Sequence, residues 1–224
     1  MQVARWSMLR NPGGLLAWCG TLALVASVLV PFLVARRAAQ IEQTAARLAA
    51  RLLQAALDCP DPLTAADLPM VTARFHCLAQ RDDLPSTELE ALPPPRDLLL
   101  LLGNRDYLFH LAVAPPEAQA IVSPDSAPAY EVVAWPRHAG SRGRSVFCEP
   151  SDGLPAYTRN LVGRHLGAGV NRPVPGQQQR LTRSASSGPR SYRSAIDERW
   201  LESAEPAGGA LRSNPLRSSR SATR

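Results

Sequence analysis

The side chains that could act on a ligand concentrate in residues 134–160, AWPRHAGSRGRSVFCEPSDGLPAYTRN. Arg137, Arg142, Arg144 and Arg159 could grip phosphates, and Cys148 with His110 or His138 could form a nucleophile–base pair. Both readings meet objections. Acids (Glu131, Glu149, Asp152) stand beside the arginines, and nucleic-acid binders show a basic face with aromatic platforms or a recognition helix. Nucleic acid is therefore not expected as a partner. No Gly-rich phosphate loop or Gly-Xaa-Ser-Xaa-Gly elbow occurs. His76 and Cys77 are adjacent and point apart in an extended chain, and no Cys-Xaa-Xaa-Cys or His-Glu-Xaa-Xaa-His spacing is present. No catalytic, cofactor-binding or metal-binding residue is assigned, and no enzyme activity is expected.

The charge points the same way. All 25 basic residues are Arg, against 19 acids, for a net charge of +6. Residues 1–170 carry 15 Arg and 15 acids, whereas residues 171–224 carry 10 Arg and 4 acids. The excess belongs to the C-terminal segment, not to the face of a domain.

The elements that must position these residues begin with a span. Between Arg10 and Arg36 lie 25 uncharged residues, 11–35, after an N-terminal flank of 1–10. A helix of that length crosses a hydrocarbon core of about 30 Å. It exceeds the apolar run of a cleaved signal peptide, so an uncleaved transmembrane helix is expected, with Trp18 near one interface and Arg36 and Arg37 at the other. Residues 36–58 continue it as an amphipathic helix: Ile41, Ala45, Leu48, Leu52 and Ala55 form an apolar stripe opposite Arg47, Arg51, Gln54 and Asp58. Cys59-Pro60 ends it, because the residue before Pro is pushed out of the α region.

Residues 59–104 read as Pro-rich loops around a short helix at MVTARFHCLAQ. Residues 105–165 read as a small antiparallel β-meander, with strands at 107–113, 129–135, 144–148 and 154–160 joined by turns rich in Gly, Pro and Asp. Residues 166–224 are rich in Ser, Arg, Pro and Gln, and disorder is expected there apart from a short helix around AIDERWLESA. The fold class is thus α+β. An Arg/Ser tail of this kind on a cytoplasmic domain would suit anionic partners, nucleic acid or lipid, and that is the alternative function.

Cys59, Cys77 and Cys148 are candidates for a disulfide, as Cys59–Cys77 or Cys77–Cys148, with three unpaired thiols as the other outcome. Such a bridge would need an oxidising compartment. The arginines that follow the span (Arg36, Arg37, Arg47, Arg51) outnumber Arg5 and Arg10 before it and lean towards a cytoplasmic domain. The residues alone leave the topology open.

The order of parts carries a resemblance. "RDYLFHLAVA" followed by "YEVVAWPRHAGSRGRSVFCEPSDGLPAYT" has a Tyr-Xaa-Phe strand, Tyr107 and Phe109, before an Ala-Xaa-Pro strand end, Trp135 and Pro136. A turn with Gly140 and Gly143, a strand reaching Phe147, and an Asp152-Gly153 turn before Tyr157 complete it. Pro31 followed by VARRAAQ adds to the match. This pattern resembles type IV pilin-like and pseudopilin-like proteins. The resemblance implies a protein held in a bacterial inner membrane by one span, with an extracytoplasmic domain. Its role would be structural, in assembly or contact with copies of itself or an envelope partner. The family's processing motif is not matched: Gly13 and Gly14 precede no acid, and Cys19 stands where Glu would.

Overall fold

One helix, α1 (Pro12–Leu57), carries both the uncharged stretch and the amphipathic stretch after it. Proline stands at its first position, where helical N–H groups lack intrahelical partners anyway. Within it Pro31 has no N–H to offer the Ser27 carbonyl. The structure is a computed structural model. It describes residues 12–59, 62–113, 129–139, 143–151, 155–161, 163, 165–169, 171–174, 182–183, 191–193 and 199–202. The chain divides into two units, Met1–Ile41 and Glu42–Arg224.

In the first unit the described residues are helical throughout. Leu22, Leu24, Val28, Phe32 and Val34 are 60 to 69% exposed, and at 100° per residue they fall on every side of the helix. A helix this long and apolar could cross a membrane.

In the second unit the remainder of α1 behaves as an amphipathic helix. Ala45, Leu48, Ala49, Leu52, Ala55 and Ala56 are buried, while Arg47 and Gln54 stay in solvent. The expected stripe is therefore the packing stripe. The last turn closes through Asp58 N–H to the Gln54 carbonyl, and the Arg74 guanidinium donates to the Asp58 carbonyl. A second helix, α2 (Leu68–Arg81), buries Val71, Phe75 and Ala79, one side chain per turn, as the apolar island predicts. Arg51 on α1 pairs with Asp82, just past the end of α2.

The sheet is antiparallel, with nine strands among the described residues: β1 (Glu90–Leu92), β2 (Leu100–Gly103), β3 (Tyr107–Val113), β4 (Tyr130–Pro136), β5 (Val146–Pro150), β6 (Ala156–Thr158), β7 (Thr182–Arg183), β8 (Ser191–Arg193) and β9 (Arg199–Glu202). The spatial order is β1-β2-β3-β4-β5-β6-β9-β8-β7. Strands β3 to β6 form the expected four-strand meander, β3 coincides with its predicted range, and β1 and β2 extend the sheet before it. Two stretches differ from the sequence expectation. Residues 59–104 hold two strands as well as loops and a helix. The run Leu98–Leu102 lacks alternation because Leu100, Leu101 and Leu102 are all buried, which requires both faces of β2 to be covered. In the second, the segment after 165 is not disordered where it is described, and residues 199–202 form a strand, not a helix. Tyr157 pairs with Leu201, and Trp200 is fully buried in a cluster with Trp135, Cys148 and Ala156. Burial against a distant strand outweighs a local composition that favours helix.

Register sorts the strand residues onto two faces. Tyr107, Phe109 and Leu111 share one face with Tyr130, Val132, Ala134 and Phe147. This face meets the first half of the unit, since the Tyr130 hydroxyl accepts the Leu63 N–H at 2.9 Å. Leu108, His110 and Ala112 share the other face with Val133, Trp135 and Cys148. Gly167 lies against that second face: Trp135 Nε1–H donates to the Gly167 carbonyl at 2.8 Å, and Gly167 N–H donates to the Pro136 carbonyl. Arg172 adds a two-oxygen contact with Asp97 at 2.7 and 2.9 Å.

Candidate functional site

The stretch between β4 and β5 carried the phosphate question, and its main chain already holds an anion. Glu42 of α1 accepts the N–H of Arg144 at 2.9 Å and that of Ser145 at 3.1 Å through the same Oε1. Two consecutive amides directed at one carboxylate form a charge-assisted clasp, of the kind that elsewhere receives a free anion. Here the anion is internal. The Arg144 side chain is exposed, and Arg142 lies outside the described residues.

Gly143 makes the clasp possible. A Cβ at this position would stand 2.5 Å from the Tyr107 hydroxyl and 2.6 Å from its ring, closer than any side chain tolerates. The Tyr107 ring therefore lies over a bare backbone, and its hydroxyl donates to the Ser145 carbonyl at 3.0 Å. Burial first, then the charges of Glu42 and Asp106, push the Tyr107 phenol far above its ordinary pKa. The group stays protonated and serves as a fixed hydrogen-bond donor.

The residues that carried the family resemblance separate by face. Tyr107, Phe109, Phe147 and Tyr157 form a continuous aromatic row, with ring centroids 6.3 to 6.4 Å apart. Gly143 sits beneath its first ring. Trp135 points to the opposite face, and Pro136 ends β4 with its carbonyl bonded to Gly167. Gly140, Asp152 and Gly153 lie outside the described residues.

The nucleophile–base idea meets a geometric obstacle. His110 and Cys148 both flank Val133 in register, so two strand spacings, about 10 Å, separate their backbones. His138 instead meets the Arg105 carbonyl at 3.1 Å. His110 is fully buried beside the Trp135 ring, at 5.3 Å, and Glu131 Oε1 lies 4.0 Å from its Nε2. Neither ring nitrogen of His110 has a hydrogen-bond partner among the described residues. The described residues contain no metal-binding group of three or more His, Cys, Asp or Glu side chains.

Cys59, Cys77 and Cys148 are free thiols in this structure. Cys59 is buried at the end of α1, where its thiol donates to the Ala55 carbonyl, and Cys148 is buried within the sheet. Cys77 is exposed on α2, away from the buried residues Val71, Phe75 and Ala79. Glu42 is not among the residues that sequence motifs point to, although it is the sole acid between Asn11 and Leu57. A lone carboxylate in so long a helical stretch was the available signal. Gly167 and Trp200 gave none beyond their residue type.

Comparison with protein-family models, with curated proteins and with solved structures gives no match for this chain.

Proposed function

We propose that this chain is a single-pass, pilin-like membrane protein whose α+β unit faces away from the cytoplasm. It acts by assembly or contact with copies of itself or an envelope partner, and not by catalysis. The observation that carries this reading is the division of α1: apolar and exposed on every side up to Val34, then buried along one stripe from Ala45 to Ala56. An apolar surface so extensive calls for a lipid or protein environment. The antiparallel meander and the aromatic row from Phe109 to Tyr157 add the resemblance to pilin-like sheets.

Topology is tested through Cys77, which is exposed while Cys59 and Cys148 are buried and Cys19 lies in the apolar helix. A membrane-impermeant maleimide applied to intact cells should label Cys77, and Cys77→Ser should abolish the signal. Labelling that needs permeabilised cells would put the unit in the cytoplasm and favour the reading in which the Arg/Ser segment meets anionic partners. Assembly is read separately: oxidative cross-linking through Cys19 in native membranes should trap a dimer, and a strictly monomeric chain would remove the self-association part of the proposal.

A further inference from the structure

Arg36 and Arg37 close the uncharged stretch of α1, and both are exposed. Neither has an ion pair or hydrogen bond among the described residues. Their neighbours one turn away are Phe32, Leu33, Val34, Ala39, Gln40 and Ile41, none of them charged. Glu42, the nearest acid along the helix, is committed to the amides of Arg144 and Ser145. Two guanidinium groups thus stand without counter-charge among the described residues, beside apolar surface: Phe32 is 60% exposed, Leu33 56% and Val34 64%.

The direction of the side chains sharpens this. A helical Cα–Cβ bond tilts towards the N-terminus, so both arginine stems lean back over the last apolar turn. Successive residues stand 100° apart, which puts the two guanidinium groups on adjacent flanks of the helix. We infer that Arg36 and Arg37 form a binding site for the headgroup of an anionic phospholipid, whose acyl chains lie along Phe32, Leu33 and Val34. A single ligand then satisfies both features, phosphate for the guanidinium forks and hydrocarbon for the exposed turn. The inference rests on the membrane-anchored reading.

The full chain is reconstituted into phosphatidylcholine vesicles carrying a trace of spin-labelled phosphatidylglycerol or spin-labelled phosphatidylcholine. The motionally restricted fraction of each lipid is measured by electron spin resonance, and insertion is checked by flotation after alkaline carbonate extraction. The restricted phosphatidylglycerol should exceed phosphatidylcholine by roughly fivefold for each arginine engaged at low salt, and the preference should shrink at high salt. Arg36→Gln/Arg37→Gln should bring the ratio near unity with insertion intact, and Arg36→Lys/Arg37→Lys should restore part of it. An inserted wild-type chain with no preference, or a preference that survives the double Gln variant, overturns the lipid site and leaves the anchor standing. A chain that fails to float with the vesicles overturns both.

Discussion

The two halves of α1 are both rich in apolar residues and end in opposite surroundings. Before Val34 the bulky side chains (Leu, Val, Phe) point in all directions, and no charge interrupts them. After Ala45 alanine alternates with leucine on one stripe, and Arg47, Arg51 and Gln54 occupy the other. Apolar content alone does not separate a helix suited to lipid from one suited to a sheet. The angular distribution of polar residues does, and so does side-chain size: small alanines let a helix backbone approach a neighbouring surface closely, whereas bulky residues all round present a surface without an interface.

The most direct way to break this contrast is a pair of truncations, followed by thermal or denaturant unfolding of the full chain in detergent. Leu52→Ala should cost about 2–5 kcal/mol of stability, since Leu52 is 1% exposed. Leu24→Ala, at 69% exposed, should stay within about 0.5 kcal/mol. Equal losses would end the distinction between the halves. Gly143→Ala should cost about 1–3 kcal/mol by forcing the Tyr107 ring off the backbone it covers. Should that variant unfold at the wild-type temperature, Tyr107 does not need the bare backbone. Glu42→Ala strips two amides of their acceptor and should cost about 1–2 kcal/mol, whereas Glu42→Gln keeps an acceptor oxygen and should lose less.

Alkaline pH probes the same clasp. Because the Tyr107 phenol is raised in the folded state, its contribution is complete below about pH 10, where an unfolded tyrosine still holds its proton. As pH climbs further the unfolded chain ionises first and stability falls. Tyr107→Phe should flatten that decline in a pH series of unfolding midpoints. The smallest effect is expected from Arg51→Ala, about 0.5 kcal/mol, since its pair with Asp82 remains partly solvated.

How much of this was legible depends on whether the deciding contact is local. The strand at Tyr107–Val113 and the helix ending ahead of Cys59-Pro60 follow from alternation, periodicity and proline. The Leu98–Leu102 run has no period to read, because burial on both faces removes the polar alternation that marks a strand. Gly143 stands in a turn by its sequence, yet what demands glycine there is the Tyr107 ring, a residue far away in sequence. Trp200 sits in an Arg- and Ser-rich neighbourhood and is buried only because β6 offers it a partner. Glu42, likewise, finds its amides a hundred residues on.

The place of β9 has a consequence for how the chain acquires its structure. From β1 to β6 each strand pairs with the one synthesised just before it, so the sheet can grow as the ribosome releases it. β9 then joins β6 directly, with β8 and β7 outside it, although β7 and β8 are made first. Closing so long a loop is slow in comparison with adding a neighbouring hairpin. Until it closes, β6 exposes unpaired amides and the apolar pocket destined for Trp200, the conditions under which nascent sheets aggregate. A translation product halted ahead of Arg199 remains in that state, so protection from aggregation waits on the few residues of β9.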